Sequence, residues 1–129
     1  MTGSVEGSEN GGTPTGVVGA RVLLVDDEPM VLEVLGRTLT RAGLKVITAG
    51  AGKAALEALA QTAFDVVVSD IAMPELDGLA LLRAVRERDP DVPVLLMTGR
   101  PDMKTAVEAV ELGALQYLIK PFDKTELLE

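Results

Sequence analysis

Five short runs of β-branched and leucine side chains recur along this chain, at Arg21–Val25, Leu44–Thr48, Asp65–Ser69, Val94–Met97 and Leu115–Ile119. Runs this short read as strands, and the longer segments between them carry helical spacing. Val31, Leu35 and Leu39 recur every four residues, Leu79, Leu82 and Val85 every three or so, and Met103, Val107 and Val110 share one face. Ala51–Thr62 is rich in alanine and reads as a further helix. Gly43 and Gly113 each precede a strand run, where a helix commonly ends in the left-handed region that glycine favours. Strands alternating with helices fold as βα units with a parallel sheet and right-handed crossovers. The first, third and fourth runs are almost wholly apolar, as strands covered on both faces are, whereas Lys45 and Thr48 in the second suit an edge. The predicted class is α/β: one five-stranded parallel sheet with helices on both faces, the edge-like second strand being compatible with the doubly wound order 2-1-3-4-5.

The first twenty residues follow neither pattern. Gly, Ser and Thr fill eleven of them, and such a segment buries too little surface to offset its ordering entropy. Residues 1–20 are expected to form a flexible tail and residues 21–129 a single domain. A last helix is expected from Asp123, but it reaches Glu129 after barely two turns and reads as truncated.

Composition narrows the chemistry. With no Cys and no His, thiolate catalysis, imidazole bases and the usual zinc sites are excluded, leaving carboxylates, hydroxyls, Lys and Arg. A net charge of −8 argues against nucleic acid as a direct partner. No apolar run exceeds four residues, so no segment reads as a membrane span or a signal-peptide core.

Ligands of open α/β sheets bind beyond the carboxyl ends of the strands, near the point where strand order reverses. Here those ends are Asp26-Asp27, Asp70, Thr98 and Lys120. Each has an ordinary explanation alone. Asp26 and Asp27 could cap the following helix ahead of Pro29, Asp70 could be a turn residue, Thr98 a loop residue and Lys120 a surface lysine. Together they gather three carboxylates, a hydroxyl and an ammonium at one end of the sheet. Clustered carboxylates repel unless a cation joins them, and an all-oxygen set suits a hard cation such as Mg²⁺. A cation with a nearby Lys and hydroxyl is equipment for neutralising phosphoryl oxygens, and one carboxylate could act as the nucleophile.

The stretches Val22–Pro29 (VLLVDDEP), Val66–Gly78 (VVVSDIAMPELDG), Val94–Gly99 (VLLMTG) and Tyr117–Phe122 (YLIKPF) resemble, in order and spacing, the receiver domain of two-component response regulators. The resemblance covers essentially all of residues 21–129 and implies a flavodoxin-like fold. It implies that Asp70 is the phosphoacceptor, with Thr98 and Lys120 meeting the phosphoryl group. Mg²⁺ or Mn²⁺ would be held by Asp70, Asp27, the backbone carbonyl of Ala72 and, through water, Asp26. Thr98 and Tyr117 would change position on activation, and Ala72 and Arg100 would flank the phosphoryl group and set its lifetime. The Lys120–Pro121 bond would be cis, and signalling would use a surface around Lys104, Glu108, Glu111 and Tyr117. The partners implied are a sensor histidine kinase or phosphotransfer protein, an output domain beyond Glu129 or on a separate protein, and a second copy in a phosphorylation-dependent homodimer. The setting implied is cytoplasmic, and the role that of a phosphoacceptor rather than an enzyme.

Three rival readings remain at this point. An aspartate-dependent phosphohydrolase would typically carry an acid two residues after its nucleophile, where Ala72 stands. A flavin or nucleotide binder would cradle phosphate after the first strand, where Asp26, Asp27 and Glu28 place negative charge. A receiver-like interaction module that is never phosphorylated would have no use for these site residues.

Overall fold

The structure, a computed structural model, describes residues 19–120. The expected tail up to Val18, the residue beyond the Lys120–Pro121 bond and the helix expected from Asp123 lie outside the described residues. Strands and helices alternate: β1 (Arg21–Val25), α1 (Pro29–Arg41), β2 (Lys45–Ala49), α2 (Gly52–Gln61), β3 (Val66–Asp70), α3 (Gly78–Arg88), β4 (Val94–Thr98), α4 (Met103–Glu111) and β5 (Gln116–Ile119). The strands form one sheet in the order β2-β1-β3-β4-β5, every neighbouring pair parallel. The doubly wound order 2-1-3-4-5 is therefore the observed one, with β2 at an edge as its polar residues suggest.

Successive side chains of a strand face opposite ways, and each sheet face has its own core. Leu23, Val25, Val67, Val94 and Leu96 pack with Ala55 of α2, Leu79, Leu81, Leu82 and Val85 of α3 and Ala109 of α4. Val22, Leu24, Val68, Leu95, Met97 and Leu118 pack on the other face with Leu32, Leu35 and Leu39 of α1. Gly43 and Gly113 take φ values of 97° and 84°, closing α1 and α4 in the left-handed region as their positions predict.

Three details differ from the sequence reading. Gly19 and Ala20, expected in the tail, are tied to the α1–β2 turn: Gly19 donates to the Gly43 carbonyl at 2.8 Å, and the Ala20 carbonyl accepts from Lys45 at 2.9 Å. β2, β3 and β4 each run one residue further than predicted, because backbone pairing continues through Ala49 opposite Val25, Asp70 opposite Met97 and Thr98 opposite Ile119. Asp70 and Thr98 are thus the last residues of their strands, at the carboxyl ends expected of them. The stripe of Met103, Val107 and Val110 on α4 faces outward, these residues being 79%, 45% and 73% exposed. α4 instead turns the smaller Ala109 inward, fully buried.

Candidate functional site

The carboxyl ends of β1, β3, β4 and β5 open on a cleft of about 330 Å³ lined by Asp27, Glu28, Asp70, Ala72, Thr98, Gly99, Arg100 and Lys120. Asp26 is fully buried just beyond β1, and Asp27 is exposed in the loop that follows. Neither caps α1: the N-cap is Glu28, whose side chain makes no capping bond, and Asp26 Oδ1 accepts the Glu28 N–H at 2.9 Å. The helices that do use aspartate caps are α3, through Asp77 to Ala80 N–H, and α4, through Asp102 to Thr105 N–H. Asp70 and Thr98 are 6% and 4% exposed at the ends of adjacent strands. Lys120 is brought alongside by its N–H, which donates to the Thr98 carbonyl at 2.8 Å. Gly78 keeps the loop after β3 tight, since a β-carbon there would collide with the Asp70 carbonyl.

Charge ties the cleft together across the sheet. The Lys120 ammonium stands 2.9 Å from Asp26 Oδ2, 3.2 Å from Asp70 Oδ1 and 3.8 Å from Glu28 Oε1. Burial pushes the Asp70 carboxyl above the ordinary 3.8, and the Asp26 charge pushes the same way, while Lys120 opposes both. For Lys120 burial works to lower the pKa, but its bond to Asp26 and the charges of Asp70 and Asp26 outweigh it, leaving it above 10.5. Lys120 and Arg100 are outnumbered by Asp26, Asp27, Glu28 and Asp70, so the acids of the cleft exceed its cationic side chains. Asp26, Asp27 and Asp70 each offer an oxygen within 4.8 Å of the others. These oxygens and no softer atoms suit a hard divalent cation, so the donor set fits the Mg²⁺ or Mn²⁺ expected from the sequence.

Comparison with known proteins agrees with this geometry. The sequence model described as "Response regulator receiver domain" matches residues 22–129. The chain belongs to that family. It is 48% identical over 105 residues to the DNA-binding transcriptional regulator NtrC of Escherichia coli (strain K12), covering 81% of this chain and 22% of that protein. With the response regulator protein FleR of Pseudomonas aeruginosa it shares 44% identity over 110 residues, 85% of this chain and 23% of that one. The receiver domain thus spans under a quarter of the length of these curated relatives. Among solved structures, the chemotaxis protein CheY4 of Vibrio cholerae superposes with a TM-score of 0.81 at 34% identity, covering 86% of this chain and 94% of that one. No helix among the described residues is long and apolar enough to cross a membrane.

Two residues of this receiver domain, Tyr117 and Thr105, pair with each other away from the cleft. Tyr117, on β5, does not line the cleft; its hydroxyl is 2.8 Å from Thr105 Oγ1 in the first turn of α4. Thr105 Oγ1 also lies 3.1 Å from Asp102 Oδ1, so the tyrosine is joined to the cap of α4. Sequence reading missed Thr105, although Asp102 immediately ahead of the apolar stripe that begins at Met103 is a recognisable helix start. Thr98 Oγ1 accepts the Arg100 N–H at 3.0 Å, and Arg100 and Ala72 both line the cleft.

Proposed function

We propose that this receiver domain, in the cytoplasm, accepts a phosphoryl group on Asp70 from the phosphohistidine of a sensor histidine kinase or phosphotransfer protein. The observation that carries this reading is the setting of Asp70. It is a carboxylate at a strand end, nearly buried, opening on a polar cleft and 3.2 Å from the Lys120 ammonium. In the transfer an Asp70 oxygen attacks phosphorus and the donor's P–N bond breaks, the imidazole leaving with the bonding pair. Lys120 loses part of its hold on Asp70 and takes up phosphoryl oxygens instead, and the Thr98 hydroxyl turns from the Arg100 N–H to do the same. A divalent cation held by Asp26, Asp27, Asp70 and the Ala72 carbonyl would supply charge neutralisation of the phosphoryl oxygens.

On this reading the domain is a phosphoacceptor rather than a turnover enzyme. Ala72 brings no group to activate water, and Arg100 can lie over the phosphoryl oxygens, so the adduct persists. Movement of Thr98 is passed to Tyr117 and so to α4, around which Lys104, Glu108 and Glu111 present a polar surface to an output domain or a second copy. Intact mass after incubation with acetyl phosphate and Mg²⁺ tests the assignment. The chain is expected to gain one phosphoryl group and Asp70→Asn none; stoichiometric modification of that variant would overturn it.

A further inference from the structure

Lys120 and a divalent cation would draw on the same oxygens. The ammonium is bonded to Asp26 Oδ2 at 2.9 Å and Asp70 Oδ1 at 3.2 Å, and both residues belong to the trio with oxygens within 4.8 Å of one another. A cation among the trio either takes Asp26 from the ammonium or shares it, setting two positive charges side by side. An ammonium has three donors and no acceptor, so a Lys120 that loses Asp26 needs another anion within reach.

Glu28 offers one from outside the trio. Its Oε1 is 3.8 Å from Lys120 Nζ, and its side chain lines the mouth of the cleft. It is free for this, because Glu28 occupies the N-cap of α1 without making a side-chain capping bond. Its place is fixed through the backbone: its N–H holds Asp26 Oδ1 at 2.9 Å, and Pro29 follows as the first helical residue. The same residue therefore steadies Asp26 on one side and faces Lys120 on the other.

We propose that Glu28 is a positioning residue that receives the Lys120 ammonium when a divalent cation occupies the Asp26–Asp27–Asp70 trio, so that both cations fit the pocket together. This rests on the pocket holding such a cation, and adds that Glu28 favours it through Lys120 rather than as a ligand. Calorimetric titration of Mg²⁺ into the 129-residue chain and its variants tests it. Glu28→Gln is expected to weaken binding about threefold, the scale of one partly exposed charge pair. Lys120→Met is expected to tighten binding by removing the competing charge, and adding Glu28→Gln to it should change nothing further. Equal weakening by Glu28→Gln in both backgrounds would mean that its charge attracts the cation directly, and no weakening in either would remove its role; both overturn the proposal. Should Lys120→Met fail to fold, the Lys120 Cε resonance in ¹³C-labelled protein decides. With Mg²⁺ saturating, it should end at a different position in Glu28→Gln than in the unaltered chain, and a common end position overturns the proposal. Asp27→Ala separates the two levels of the argument. If it leaves Mg²⁺ affinity intact the cation binds elsewhere and the metal pocket itself fails, whereas a weakened Asp27→Ala with no Lys120-dependent effect of Glu28 defeats only this inference.

Discussion

α3 and α4 lie on the same face of the sheet and are attached to it in different ways. α3 buries Leu79, Leu81, Leu82 and Val85 in the core, each worth about 1.5–3 kcal/mol when fully removed from water. α4 buries only Ala109 and turns Met103, Val107 and Val110 outward. Besides Ala109 and the half-buried Leu112 that caps it, α4 is held by polar bonds: Arg83 to Glu108 at 3.2 Å, Arg86 to the Gly113 carbonyl at 2.8 Å, and Thr105 to Tyr117 at 2.8 Å. Burial is lost only by exposing apolar surface, whereas a hydrogen bond can be exchanged for another partner or for water at small net cost. Of the two helices, α4 is the one whose displacement would expose less of the core. It is also the one joined, through Tyr117, to the strand that leads to Lys120.

The contrast is broken or sharpened most strongly in the core. Leu82→Ala should cost about 2–5 kcal/mol, while Val107→Ala at the matching level of α4 should stay within about 0.5 kcal/mol. Urea unfolding measures both, and comparable losses would mean that α4 is as firmly packed as α3. Next comes the hydroxyl pair. Thr105→Val leaves the Tyr117 hydroxyl without its partner and should cost about 1 kcal/mol, with faster amide exchange in α4 and none of that acceleration in α3.

Acid should separate the helices further. The Thr105 N–H, helped by the Thr105 hydroxyl and by Lys104 against an opposing loss of solvation, holds the Asp102 carboxyl below the ordinary 3.8. The cap's contribution is therefore full above that value and is lost as pH falls through the depressed one. Amide protection in the first turn of α4 should fade over that window while the core-facing turns of α3 keep theirs; simultaneous loss would contradict a locally attached α4. Asp70 has the opposite sign. Its folded pKa lies above 3.8, so its ionisation costs stability as pH rises through the raised value, and Asp70→Asn should melt higher than the unaltered chain at neutral pH without Mg²⁺. The smallest effect is expected at the surface pair. Arg83→Ala should cost about 0.2–1 kcal/mol and less in high salt. A salt-independent loss would place its worth in packing of the arginine stem instead.

Much of this molecule can be read from local pattern. The spacing of apolar residues marks the strands and helices, Gly43 and Gly113 mark two helix ends, and Lys45 and Thr48 mark the edge strand. The polar residues at the strand ends are equally legible, because a parallel sheet puts every carboxyl end on one side. What the pattern could not supply was partnership. Lys120 bonds to Asp26, 94 residues away, because β5 and β1 end at one level with β3 and β4 between them. That Glu28 faces the same ammonium, and that Thr105 meets Tyr117 across 12 residues, depends on how α1 and α4 are seated. The outward stripe of α4 makes the same point. Helical spacing says that Met103, Val107 and Val110 share a face, since that follows from 3.6 residues per turn. Which way the face points is set by the surfaces competing for the sheet, and there Ala109 lies inward beside the bulkier side chains of α3. Periodicity is a property of the chain's own geometry and so belongs to the sequence; burial and pairing are properties of the neighbours, and only the assembled sheet decided them.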